Sequence, residues 1–103
     1  MELTRGETPT YIVDFGICEI DTTDVLRAVL VVTQLGVERD LTSGIVIDNE
    51  NNTISYHFSQ EETLSFGVGK IQVQLDVVTS DEERSVASRN TIKIIDTLID
   101  EVI

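Results

Sequence analysis

The segment from Lys70 to Thr79 constrains the fold of this chain more than any other. Ile71, Val73, Leu75 and Val77 alternate there with Gln72, Gln74 and Asp76. Successive side chains of a strand point to opposite faces, so the pattern predicts a strand with one buried and one wet face. Sheets of this kind are usually antiparallel, because parallel sheets are covered on both faces and their strands read as continuous apolar runs.

Other stretches repeat the signal. Val25 to Gln34 places Leu26, Ala28, Leu30 and Val32 on one face. Its other face, with Val25, Arg27, Val29, Val31 and Thr33, is only partly polar. A helix is the rival reading of so long a run, and the density of valine favours a strand. Gly36 ends this segment, and Val37 to Leu41 reads as a short edge strand. Earlier, Tyr11, Val13, Phe15 and Ile17 share one face of an alternating run. The phase slips after Gly16, which suggests a bulge or a crossing from one sheet to another.

Residues 44–48 and 53–59 read as a hairpin around Asn49-Glu50-Asn51-Asn52, whose residue types tolerate a left-handed backbone. Pairing Asp48 with Thr53 sets Ile47 beside Ile54 and Ile45 beside Tyr56, so the register is self-consistent. Ser59 and Glu62 have capping-box spacing, which predicts one helical turn near 60–64 with Leu64 or Phe66 tucked beneath the sheets. After a charged tip at 80–85, Val86 to Ser88 and Thr91 to Ile94 return as the last strand. About seven strands with turns every 8–12 residues predict an all-β, two-sheet antiparallel β-sandwich of immunoglobulin-like type. The length, 103 residues, fits a single domain over 1–103 that needs no disulfide or metal to build its core.

Charge narrows the function. Nineteen Asp and Glu face seven Lys and Arg, a net charge of −12. Such a surface is repelled by nucleic-acid phosphates and anionic lipid, so neither is an expected partner. The single cysteine, Cys18, reads as a small core hydrophobe rather than a reactive thiol. The single histidine, His57, falls on the outer face of a strand, where it is a surface residue rather than a general base. Gly67-Val68-Gly69 lacks the remainder of a phosphate-binding loop. No cofactor, metal or catalytic residue is therefore expected. The acidic turns at Asp48–Asn52 and Asp81–Glu83 offer oxygen ligands suited to calcium, but read as solvated tips. The first residues carry no apolar signal segment, and the longest apolar run, Ala28 to Val32, is too short to span a bilayer. The expected setting is the cytoplasm in which the chain is made.

The two ends stand apart. Residues 1–9 read as an extended, exposed lead-in interrupted by Pro9. At the other end Ile95, Leu98, Ile99, Val102 and Ile103 recur at helical spacing of three and four. This aliphatic stripe either folds back on the core or serves as a docking arm over 95–103. Together with Leu3 in the lead-in, these five residues are the candidate contacts to other subunits.

Arg5-Gly6-Glu7-Thr8-Pro9-Thr10 followed by an alternating strand resembles the opening of small structural proteins from tailed phages and prophages of low-GC Gram-positive bacteria. Those proteins are akin to the immunoglobulin-like N-terminal domain of phage baseplate upper proteins. Asn52-Thr53-Ile54, Ser59 to Leu64, Gly69 to Gln74 and Ala87-Ser88 continue the likeness, which spans roughly residues 3 to 95. The tip at Asp81-Glu82-Glu83-Arg84 departs from it by lacking an Asp-Gly turn. The resemblance implies a non-catalytic tail, baseplate or neck component of a virion that contacts other virion proteins or copies of itself, as a homo-oligomer in the particle. Two other classes remain: a carbohydrate- or calcium-binding sandwich module, and a host protein that holds a basic partner on its acidic surface.

Overall fold

The computed structural model describes residues 2–17, 20–99 and 101–103. Its strands are β1 (Glu2–Thr4), β2 (Thr10–Asp14), β3 (Val25–Gln34), β4 (Val37–Asp40), β5 (Val46–Asp48), β6 (Thr53–His57), β7 (Gly69–Thr79) and β8 (Arg84–Ile95). One short helix, α1 (Gln60–Ser65), joins β6 to β7. The strands form a five-stranded sheet ordered β1-β8-β7-β3-β4 and a three-stranded sheet ordered β2-β6-β5. The expected two-sheet β-sandwich is present. The orders β8-β7-β3 and β2-β6-β5 correspond to the G-F-C and B-E-D sheets of immunoglobulin domains, with β4 in the place of the added C′ strand.

The alternation at 70–79 does what its pattern demands. Ile71, Val73, Leu75 and Val77 are all at most 1% exposed. They meet Ala28, Leu30 and Val32 of β3 and Ile92 and Ile94 of β8 on the same inner face. Tyr11, Val13, Ile54 and Tyr56 cover them from the smaller sheet. The hairpin register holds, with Asp48 opposite Thr53 and Ile47 opposite Ile54. Asn52, at φ 56°, takes the left-handed position of the turn. Its side-chain oxygen accepts from the Thr22 N–H at 2.7 Å and its amide donates to Ile20 O at 3.1 Å, tying the β2–β3 connection to this tip. Gly44 is set by a close approach: a Cβ there would lie 2.6 Å from the Tyr56 ring.

The structure corrects the sequence reading in four places. The lead-in is not free. Glu2–Thr4 pairs in parallel with Lys93–Ile95, and Leu3, only 4% exposed, belongs to the core. The sandwich is therefore not wholly antiparallel and has eight strands among the described residues. β2 stops at Asp14, and Phe15 to Ile17 form a 3-10 turn as the chain leaves the small sheet for the large one. Phe15 is nonetheless fully buried. Leu26 does not join the buried face of β3, because the register shifts between Val25 and Arg27 and leaves it 61% exposed. The expectations for Cys18 and for the side chain of Ile17 lie outside the described residues.

Two hairpin tips adopt backbone shapes their residues do not favour. Between β3 and β4, Leu35 (φ 50°) and Gly36 (φ 80°) form a two-residue turn with both central residues left-handed. That geometry selects Asn-Gly, and a leucine there costs about 1 kcal/mol. Leu35 is also 98% exposed, so it recovers nothing by burial. Leu35→Asn is expected to raise stability by about 1 kcal/mol, read as a higher urea midpoint with an unchanged m value. Between β7 and β8, Glu82 (φ 60°) stands where the missing glycine of an Asp-Gly turn would serve.

On the outer face of β7, Asp76 is 7% exposed and accepts from Gln74 Nε2 at 2.8 Å and from Arg84 Nε and Nη2 at 2.9 and 2.6 Å. Burial pushes its carboxyl up. The hydrogen bonds from Gln74 and Arg84, with the charges of Arg84 and Arg89, outweigh burial and hold it below 3.8. A carboxylate with a depressed folded pKa stabilises the fold above its unfolded value and loses that contribution as the pH falls through the folded one. Arg84 is 72% exposed, so solvent limits the pair to about 1 kcal/mol. Arg84→Gln is expected to lower Tm at neutral pH and to match the parent once the pH falls below the folded pKa of Asp76, read by thermal scans from pH 7 to 2.

Candidate assembly interface

The C-terminal stripe is neither helix nor strand after Ile95. The Asp96 and Thr97 side chains accept from backbone N–H groups just downstream, Thr97 N at 2.8 Å and Ile99 N at 3.1 Å. Such local bonds compete with a helical ladder. The segment turns back toward β1 and α1. Arg5 Nη1 meets Asp96 Oδ1 at 2.9 Å. Gln60, at the start of α1, holds Ile103 by its backbone: Gln60 Nε2 donates to Ile103 O at 3.2 Å, and Ile103 N donates to Gln60 Oε1 at 2.9 Å. A main-chain clamp of this kind leaves the aliphatic side chains uncommitted.

They point outward. Leu98 and Ile103 are 105% and 84% exposed, and Ile99 and Val102 are more than half exposed. Ile95, at the end of β8, is 36% exposed. None of the five belongs to the buried core cluster. The segment thus folds back, as one of the two expectations had it, but without capping the core. Leu3 does the opposite. It sits inside the sandwich beside Ile94 and is not presented to a neighbour.

The base of this region is tied down by buried hydrogen bonds. Thr63 of α1 is fully buried. Its Oγ1 accepts from the Gly6 N–H at 3.0 Å and donates to Glu7 O at 2.8 Å, fixing the turn after β1. Ser59 and Glu62 form the expected capping box. The Glu62 carboxylate also accepts from the Tyr56 hydroxyl. Burial, reinforced by that carboxylate, pushes the Tyr56 phenol up to about 12. Phe66 follows, 2% exposed, with the Arg39 guanidinium 5.2 Å over its ring. Thr63 and Gln60 were not legible as contact-forming residues, since each meets chain far away in sequence.

The other candidate positions are quiet. His57 is exposed and its Nδ1 is 3.0 Å from Thr10 Oγ1. The Asp48 carboxylate accepts from the Glu50 and Asn51 backbone and from the Asn51 amide, so its oxygens serve the turn itself. No group of three His, Cys, Asp or Glu able to hold a metal occurs among the described residues. Also among them, no helix is long and apolar enough to cross a membrane. No protein-family model matches the chain, and the curated proteins contain no significant match to it.

Proposed function

We propose that this chain is a non-catalytic structural subunit of a tailed phage or prophage particle, acting through repeated contacts with other virion proteins or with itself. The observation that carries the reading is the exposed aliphatic stripe of Leu98, Ile99, Val102 and Ile103, on a segment held to a finished sandwich by the Ile103 backbone and the Asp96–Arg5 ion pair. Exposed apolar side chains that add nothing to the core are what a subunit keeps for a partner. The immunoglobulin-like strand order agrees with the domain type that the sequence resemblance implies.

The test uses Leu98→Ala/Ile99→Ala/Val102→Ala beside a chain ending at Asp96. Both are expected to melt within a few degrees of the parent, because neither removes a core residue. In a lysogen carrying either as its only copy, induction is expected to give few or no infectious particles. Normal particle yield from both variants would contradict this role for the stripe.

A further inference from the structure

The outer face of the five-stranded sheet carries an ordered charge pattern. Five of the seven basic residues of the chain stand on it: Arg27, Lys70, Arg84, Arg89 and Lys93. Only four carboxylates join them among the described residues, Glu2, Glu38, Asp40 and Asp76. A face with one more cation than anions therefore sits on a chain of net charge −12. The signs are also sorted across the strands. The pairings β4–β3, β3–β7 and β7–β8 set Asp40, Val31, Gln74 and Arg89 in one transverse row. The row beside it runs Glu38, Thr33, Gln72 and Thr91. The β4 edge is thus anionic, and β8, one strand in from the β1 edge that carries Glu2, is cationic. Val29 and Val31 lie half-buried between them, in the shallow open groove bounded by Glu38, Asp76 and Arg84. This is the partly polar face of β3 that the sequence alone could not account for.

We infer that this face binds a second copy of itself about a two-fold axis parallel to the strands. Such an axis turns each transverse row end for end against its counterpart. Asp40 of one copy then meets Arg89 of the other, and the same pair recurs on the far side, as an isologous contact requires. Glu38 falls between Arg89 and Lys93 of the facing copy. Val31 meets the aliphatic part of Gln74 near the axis. Val29 falls opposite Asp76, whose charge Arg84 already neutralises, and Arg27 falls opposite Val78 at one end, while Arg84 lies beyond the end of the facing β4. β3 and β7, overlapping for about 33 Å at a spacing of about 4.8 Å, with the four-residue β4 over part of the facing β8, offer roughly 450 Å² per copy, below the usual size of specific interfaces. The dimer is accordingly weak, salt-sensitive and set by its rim charges.

This inference deepens the reading of the chain as an assembly subunit. Its test uses purified chain alone, so its failure is distinguishable from failure of that reading. Sedimentation equilibrium of the full chain from 5 to 500 μM in low salt is expected to show a monomer–dimer equilibrium. Raising salt from about 50 to 500 mM should weaken it about tenfold. Two variants are then compared, Arg89→Glu and Glu38→Lys/Asp40→Asn. The asparagine keeps an oxygen for the Thr42 N–H that Asp40 accepts at 2.8 Å. Each variant should remain folded by circular dichroism and be monomeric, because like charges now face each other twice. An equimolar mixture of the two should recover a heterodimer: one rim keeps Glu38 and Asp40 against Arg89, and on the other the charges introduced at 38 and 89 are of opposite sign. A monomeric parent, dimers that persist in both variants, or a mixture that stays monomeric each overturns the inference.

Discussion

Phe58→Ala is expected to unfold the chain at 37 °C or to lower its Tm by at least about 12 °C. Phe58 is 1% exposed and lies edge-on to Tyr56 and to Phe66, with ring centroids 5.0 and 6.1 Å away. Its N–H donates to Pro9 O at 3.0 Å, so the same residue also anchors the end of the β1–β2 connection. Truncating a buried phenylalanine to alanine costs about 3–5 kcal/mol. A domain of this size holds only about 5–15 kcal/mol in total, and each kcal/mol moves Tm by about 4–8 °C. Phe58→Leu keeps most of the apolar volume and should lose less than half as much. Differential scanning calorimetry on the three chains checks the order. A parent-like Tm for the alanine variant would mean that the aromatic trio is not the core of this end of the sandwich.

Thr63→Val is expected to cost about 1–3 kcal/mol although it changes neither size nor burial. The valine, itself fully buried, leaves the half-buried Gly6 N–H and the Glu7 O without their side-chain partner. An unpaired buried polar group loses its full desolvation energy, more than the net worth of the bond that it made. Thr63→Ser keeps the hydroxyl and should recover most of the loss. Because the bond ties the turn after β1 to α1, hydrogen exchange at residues 5–7 should speed up in the valine variant before global unfolding does. Equal protection in parent and variant would show that β1 alone, through its parallel ladder to β8, fixes the turn.

Some of these features were legible in the sequence and others were not. The β5–β6 register was legible because a turn of known residue types and a two-residue period fix it jointly. The capping box was legible because both partners lie within four residues. The start of the chain was not. Glu2-Leu3-Thr4 has too few residues to show a period, and its partner, Lys93–Ile95, lies about ninety residues away. The end of β2 was misjudged for a related reason. Phe15 keeps the alternating phase and is buried, yet the backbone turns out of the sheet at Gly16, whose N–H donates to the Asp14 carboxylate at 2.8 Å rather than to a neighbouring strand.

The candidate site divides in the same way. The aliphatic stripe at 95–103 was visible as a pattern, whereas the exposure of Leu98, Ile99, Val102 and Ile103 could be read only from the fold. Its helical spacing misled, because Asp96 and Thr97 satisfy nearby backbone N–H groups themselves. Gln60's grip on Ile103 spans 43 residues and leaves no local trace. The charge rows across the large sheet were hidden for a topological reason. Asp40 and Arg89 share a row only once β4, β3, β7 and β8 are known to be neighbours in that order.

The proposed role as a built-in part of a tailed particle is tested most directly by quantitative mass spectrometry of particles induced from the strain that encodes the chain, purified by density gradient. The chain is expected in the particle band, in multiple copies per particle and resistant to a salt wash. Complete, infectious particles that contain none of it would overturn that role.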